Sequence, residues 1–600
     1  MRKIIFFLLI LFPLISGARE RDLETARNIA YDFIGSKVLT RSSGVSLSLV
    51  YDSFGTLSTR AAGHAPSFYV FDNDLGPGFV IVSGDDAVQQ ILAYSVNSNF
   101  RTDNMPPNLH WWLDTMNAQV QKVRENSVVA TDAGILPGNE VYLCETAKWD
   151  QWGPFNYQCP VMMYKGKLEN TLTGCGPTAI AIALRYREYP PCGTGTTPEY
   201  VTNKNNLTVP ARDLSEEYHW EDMPLTSPYK SQWTDSQNEA VARLIADIGA
   251  AAHVQYDMEG TTIFSTDVPS VMMEFFGYDR SVYQQERKYY KDKDWFHLIR
   301  NEIRTNGPVI YSGNAPDVGH MFVLDGYDSN DYFHVNWGWS GSSDGYYSLS
   351  AMNPGNPGAG AGSLAHINGY NTSQSAILNF MPDKGGQPVL RVEFYNIDNE
   401  YGTFKGLRVK EYDQLTGLPS VINVGAIRNR SEITCRDLKV RLVVVDREMN
   451  ERKILWEQTI EELKSYEYIY YPDVALTDYG TVDFGYLLMA QYYHPQESQW
   501  KTIHADRSIR GAESILLADE YTIEESTVFK YENASQTVTL TTKDGVEVRL
   551  SGNGLDVPVE SVKTNTFVIE TGSLEAGIYT VTLSKGSEKK ELRIVTGTRD

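Results

Sequence analysis

Leu23, Ala26, Ala30 and Phe33 recur on one side of a 3.6-residue period, which predicts a short amphipathic helix over residues 21–35. The period then changes. Phe68–Phe71 and Phe79–Val82 are short strand-forming runs separated by Asp72, Asn73, Asp74, Leu75, Gly76, Pro77 and Gly78, so they predict a hairpin with a long loop. His110, Trp111, Trp112, Leu113, Met116 and Val120 return to helical spacing. Residues 19–140 thus read as a small α+β unit without a reactive constellation.

Strand-like alternation governs the last third of the chain. Val440, Leu442 and Val444 alternate, as do Tyr466, Tyr468 and Tyr470. Val538 and Leu540 precede an Asp544-Gly545 turn, and Val546, Val548 and Leu550 follow it. Tyr579, Val581 and Leu583, then Leu592 and Ile594, repeat the pattern. After a linker at Pro382–Gly386 this predicts two all-β modules, read as sandwiches, over 387–515 and 522–600, the second immunoglobulin-like. No internal repeat at a fixed period indicates a solenoid. Between these flanks, residues 141–380 are dense in aromatics, Gly and Asn.

The start of the chain has a separate logic. Met1, Arg2 and Lys3 precede an apolar run from Ile4 to Ile15, then Ser16, Gly17 and Ala18. Twelve apolar positions fall short of the roughly 20 that span a bilayer, so residues 1–18 read as a secretory signal peptide. The expected product is exported, secreted or periplasmic, with no transmembrane segment. Composition narrows the classes further. With 42% hydrophobic and 22% charged residues over 600 positions the chain is globular and multi-domain. A net charge of -23 argues against nucleic acid and anionic membranes as partners. Five cysteines, at 144, 159, 175, 192 and 435, are too few for a disulfide scaffold. Their odd number leaves at least one thiol unpaired, and the sequence does not choose a pairing among Cys144, Cys159 and Cys192.

One cysteine stands where chemistry is expected. Gly174, Cys175, Gly176 and Pro177 lead into the helical run Thr178–Tyr186, and the N-terminus of a helix favours a thiolate. Such a nucleophile needs a base. His320 opens the apolar run Met321–Leu324, and Asn336 lies sixteen residues on, in the strand-like stretch Tyr332–Trp339. If the two strands lie side by side, the Asn336 amide can accept from the imidazole and Trp337 can screen that bond. His334 shares the face of Asn336 and is a rival base, for which a structural role beside an aromatic neighbour is favoured. His366 is a further rival without a comparable partner.

Thr173-Gly174-Cys175 with Thr178-Ala179, Gly319–Gly326, His334–Trp339 and Asp344-Gly345, preceded by Trp149-Asp150-Gln151 and Pro154-Phe155-Asn156, resemble the streptopain family of secreted cysteine peptidases. Gly176 and Pro177 depart from the Val and Ala of many relatives. The resemblance implies a papain-like catalytic domain over 141–380 and a small α+β prodomain before it; it does not cover the two all-β modules read from strand alternation, and with them the expected architecture is α+β overall. It implies Cys175 as nucleophile, His320 as general base and acid, Asn336 as the group that orients His320, Trp337 as its shield and Gln151 as an oxyanion-hole donor. Trp339 and Gly341 are placed beside the substrate by the aromatic and Gly-rich stretch Trp337–Tyr347, read as a mobile loop or an ordinary hairpin.

The same resemblance implies that residues 19–140, whose hairpin Tyr69–Val82 is followed by Ser83-Gly84-Asp85-Asp86, act as an inhibitory propeptide of an autoprocessed zymogen. Substrates would be proteins or peptides, and no metal or cofactor is called for. Three alternatives compete. Gly341-Ser342-Ser343-Asp344-Gly345 formally fits a serine-hydrolase elbow but precedes a strand-like run where a helix is required. No His-Glu-x-x-His motif supports a metallopeptidase. An inactive exported adhesin is the non-enzymatic alternative. The extreme C-terminus faintly resembles sorting domains of exported bacterial proteins, which would imply cell-surface attachment.

Overall fold

The computed structural model describes residues 20–596 except 39–44, 56–64, 104, 126–135, 230, 259, 262, 291, 315–318, 350–373, 400–401, 414–417, 447–448, 481, 483–485, 497–498, 506–511, 518–527, 533–536, 543–544, 576 and 586–587. The signal peptide read at residues 1–18 and His366 lie outside the described residues.

The helices are α1 (Leu23–Val38), α2 (Pro107–Glu125), α3 (Cys175–Arg187), α4 (Asp235–Ala251), α5 (Val268–Phe275) and α6 (Asp292–Asn306). The strands as far as residue 378 are β1 (Leu47–Asp52), β2 (Phe68–Asn73), β3 (Phe79–Ser83), β4 (Ile91–Ser95), β5 (Glu140–Leu143), β6 (Val161–Tyr164), β7 (Lys167–Asn170), β8 (Tyr200–Val201), β9 (Thr208–Val209), β10 (Tyr283–Glu286), β11 (Val309–Asn314), β12 (Gly319–Asp328), β13 (Tyr332–Asn336), β14 (Gly345–Ser348) and β15 (Gln374–Leu378). The β2–β3 hairpin pairs Tyr69 with Val82, and α2 covers the helical stretch that begins near His110.

One 11-stranded sheet organises the first 380 residues, in the order β1-β2-β3-β4-β14-β13-β12-β11-β15-β10 with β5 beside β12. The N-terminal unit is therefore joined to the catalytic region by strand pairing: Tyr94 faces Tyr346 and Ala93 faces Tyr347. Successive side chains of a strand point to opposite faces, and that alternation sorts the core. Tyr69, Phe71, Val80 and Val82 pack with α1, whereas Phe68, Val70, Phe79 and Ile81 join α2 and α6 in a core shared with Phe322, Leu324, Trp337 and Tyr347. Met321 and Val323 point the other way, into a second core built on α3, α4 and α5. Helix α3 is buried continuously from Gly176 to Leu184, which explains why its sequence is apolar on every side.

The remaining residues form antiparallel sheets. Val392–Tyr395, Leu407–Tyr412, Pro419–Asn429 and Tyr468–Ala475 make one, and Cys435–Val445, Glu451–Leu463, Leu487–Tyr493, Trp500–Thr502 and Ser514–Leu516 another, with a common core. Tyr466, read as a strand position, instead occupies a turn at φ 60. Two four-stranded sheets between Val528 and Thr596 share a further core. Among the described residues no helix is long and apolar enough to cross a membrane.

Candidate active site

Cys175 opens α3 behind Gly174, whose φ of 88 lies in the left-handed region and suits glycine. Gly176 is equally constrained, because a Cβ there would meet Ile263 at 2.1 Å. The half-buried Cys175 sulfur accepts a hydrogen bond from the Met321 N–H at 3.4 Å. The nucleophile candidate thus touches the backbone of the residue next to His320. Gln151 is brought to the same place by the Thr173 N–H, which donates to its carbonyl at 3.2 Å. Asp150 fixes the turn, accepting from the Gln151 N–H at 2.6 Å and from the Ser340 hydroxyl at 2.8 Å.

The imidazole itself is on the other side of β12. His320 is paired with Gly313, and a Cβ on Gly313 would meet the Trp111 ring at 2.1 Å. Facing residues of an antiparallel pair share a side of the sheet, so His320 is turned toward α2, as are Phe322 and Leu324. Helix α2 is anchored there by Asn108, whose Nδ2 donates to the carbonyls of Trp337 at 2.8 Å and Met321 at 3.3 Å. Burial, followed by the nearby charge of His110, lowers the His320 pKa to about 4. Burial pushes the Cys175 thiol up, more than the N–H groups of Met321, Gly176 and Cys175 draw it down. In this form desolvation therefore works against the thiolate that a helix start favours, and against the imidazolium.

Asn336 lies opposite Val323 and so on the Cys175 side of the sheet. Its Nδ2 donates to the Thr146 hydroxyl at 3.0 Å and the Ala147 carbonyl at 2.9 Å, and its Oδ1 accepts from the Gly338 N–H at 3.0 Å. The expected bond to His320 is not made in this form, because β12 turns the imidazole away from Asn336. Trp337 is 1% exposed and packs on Phe322 and Tyr347 at centroid distances of 4.9 and 5.0 Å. His334, the rival base, faces Asp325 at 2.5 Å and the edge of Tyr346.

Residues 337–344, read as a mobile loop or a hairpin, connect β13 to β14 and are tied at several points. Asp344 accepts from the Trp337 N–H at 3.1 Å and from Lys148 at 3.0 Å, and Ser340 N–H donates to the Trp149 carbonyl. Gly341 rests on the Lys148 side chain, and its carbonyl accepts from Ser98 at 3.0 Å. Ser343 is buried between two strands, a context that does not build a nucleophile elbow. Trp339 lines a cleft of about 650 Å³ together with Arg101, Asp103, Pro107, Asp150, Trp152, Tyr229 and Ser340. All five cysteines are free thiols.

The sequence reading missed Asn108 and Trp111, the residues through which α2 occupies the site. Their only signal is a helix with two adjacent Trp residues. Nothing local marks its partner, 213 residues further along the chain for the Asn108–Met321 bond.

The Peptidase C10 family model matches residues 149–347 and the Spi protease inhibitor model residues 18–120. Streptopain of Streptococcus pyogenes is 31% identical over 379 residues, which are 60% of this chain and 92% of that protein. The chain belongs to the C10 peptidase family. As a C10 peptidase it has a papain-like cysteine-protease core, an inhibitor-like prodomain and additional C-terminal β-sheet domains. It is also similar to the thiol protease/hemagglutinin PrtT of Porphyromonas gingivalis, at 28% identity over 398 residues; these are 64% of this chain but only 44% of that protein's length. Among solved structures, a prointerpain A fragment of Prevotella intermedia aligns at 25% identity and a TM-score of 0.45, covering 56% of this chain and 99% of its own.

Proposed function

We propose that this C10 peptidase is an exported endopeptidase made as a zymogen, with Cys175 as nucleophile and His320 as general base and acid. The observation that carries the reading is the Met321 N–H bond to the Cys175 sulfur, which sets the thiol against the strand that bears His320. Release of α2 frees the imidazole to turn toward the sulfur and Asn336. Release of α2 also relieves the desolvation of the imidazole, and an imidazolium beside the sulfur then favours the thiolate.

The thiolate then attacks the peptide carbonyl. The Cys175 N–H and the Gln151 side-chain amide meet the developing oxyanion. His320 passes its proton to the leaving amine as the acyl-enzyme forms, then takes a proton from the water that hydrolyses it. Asn336 holds the imidazole orientation and Trp337 shields it. Trp339 and Gly341 border the path of the extended substrate, whose continuation is the cleft walled by Trp152, Tyr229 and Trp339.

The domain limits that fit this reading are 1–18 for the signal, 19–140 for the inhibitory propeptide, 141–380 for the peptidase, and 387–515 and 522–600 for the β modules. An immunoglobulin-like identity for the last of these and its use in surface attachment belong to the same proposal, supported by paired antiparallel sheets around one core. Cys175→Ala tests the whole. The variant is expected to stay full length and to hydrolyse no casein; self-processing or residual hydrolysis at the wild-type rate would refute it.

A further inference from the structure

Among the buried charges of the catalytic strand that the mechanism leaves without a role, Asp325 lies nearest the Asn336 network. Asp325 is fully buried, at a β-bulge: Leu324 pairs with Val335 and Gly326 with His334, so Asp325 has no partner of its own in β13. A bulge re-aims the side chain it carries. Here the carboxylate receives His334 Nδ1 at 2.5 Å and the hydroxyl of Thr146, with Lys148 nearby. Burial alone would raise its pKa, but the His334 and Lys148 charges and the two hydrogen bonds hold it below the ordinary carboxylate value. Asp325 is therefore an acceptor only.

That constraint passes along the chain of bonds. The single Thr146 proton is committed to Asp325, so Thr146 Oγ1 can only accept, and what it accepts is an N–H of Asn336 at 3.0 Å. The second N–H of the same amino group is taken by the Ala147 carbonyl at 2.9 Å. The Asn336 amide is thus held in one of its two flips, with Oδ1 left on the side of the Gly338 N–H. Only that flip offers an acceptor to an imidazolium; the other would set N–H against N–H.

We propose that Asp325 and Thr146 are positioning residues of the peptidase: through the Thr146 hydroxyl the buried carboxylate, acting together with the Ala147 carbonyl and the Gly338 N–H, holds the end of the Asn336 amide that meets His320. This rests on the assignment of Asn336 as the group that orients His320, and the test separates the two.

Full-length Thr146→Val, Thr146→Ser, Asp325→Asn, Asn336→Ala and Thr146→Val/Asn336→Ala chains are processed in trans by tagged wild-type enzyme, which is then removed. For each, kcat and KM on a peptide substrate and the pH profile of Cys175 alkylation are measured. Thr146→Val and Asp325→Asn are expected to lower kcat by about 10–100-fold, the usual scale for a group that orients a reacting one, with KM little changed. Because an acceptor at the imidazolium raises its pKa, the alkaline limb of the alkylation profile should move to lower pH, as in Asn336→Ala. Thr146→Ser, which keeps the hydroxyl, should restore both readouts, and the double variant should be no worse than Asn336→Ala. Should Asp325→Asn fail to fold, the Thr146 pair decides. A Thr146→Val enzyme with wild-type kcat and an unmoved profile, beside an impaired Asn336→Ala, overturns the proposal, as does a double variant whose losses multiply. A fully active Asn336→Ala enzyme overturns the assignment of Asn336 and the proposal with it.

Discussion

Cys175, His320 and Gln151 each sit where the chain around them leaves little choice: behind a left-handed glycine, at the second pair of a long strand, and in a turn bonded to the segment before the nucleophile. These residues were legible in the sequence because their signals are local. Asn336 was legible as a residue but not in its bonding, since Thr146 and Ala147 are 190 and 189 positions away. Two predictions belong at this scale. Gln151→Ala should lower kcat by about 100–1,000-fold, or roughly 2.7–4 kcal/mol of transition-state stabilisation, with an unchanged melting temperature; equal losses of activity and stability would mark Gln151 as structural. The second concerns acid. His320 titrates near 4 in the closed form, against 6.5 when unperturbed, so the closed form binds fewer protons than the opened one between those values. Its stability relative to the opened form is complete above about 6.5 and is lost as the pH falls toward 4. Hydrogen exchange on α2 of the Cys175→Ala chain, corrected for intrinsic rate, should show protection falling across that window, and less steeply in His320→Gln. Protection that is flat with pH would contradict the contact.

In the proposed zymogen, helix α2 is the element that holds the chain latent. Its hydrophobic spacing gave its position in the sequence, but its target is a groove assembled from β12, β11 and Trp337, and no local pattern encodes a groove. Trp111 fills the space that Gly313 leaves, and Asn108 caps the strand carbonyls. Removing a buried Trp ring costs about 3–5 kcal/mol. Trp111→Ala should therefore open the full-length chain enough for Cys175 to react with iodoacetamide before any cleavage. A variant as unreactive as the parent would show that α2 does not hold the site closed.

At the scale of the molecule, two seams were invisible to periodicity. The first is the β4–β14 pairing, which makes prodomain and catalytic strands one sheet; each strand was readable alone, but the registry between them is long-range. The second joins the catalytic sheet to the first β module. Arg430 reaches Glu286 at 3.1 Å, Gln285 reaches Glu393 at 3.2 Å, and Arg391 lies over Tyr283 at 5.0 Å while donating to the Gln284 carbonyl. This seam is charged and largely buried, and Arg430→Ala, which removes one cation from Glu286 and Glu393 while Lys288 and Gln285 remain, should cost about 1–3 kcal/mol in denaturant unfolding; no change would mean that the seam adds nothing to stability. In the proposed mechanism the Cys175 thiol is silent beside the prodomain and activated by its neighbour strand once the prodomain is gone. Mass-spectrometric timing of iodoacetamide labelling at all five cysteines, before and after processing, tests this most directly. Cys175 should react fastest in the processed enzyme, with peptide hydrolysis lost in step, and stay unlabelled in the full-length chain; hydrolysis that survives complete Cys175 labelling, or a Cys175 no faster than Cys192 after processing, would contradict it.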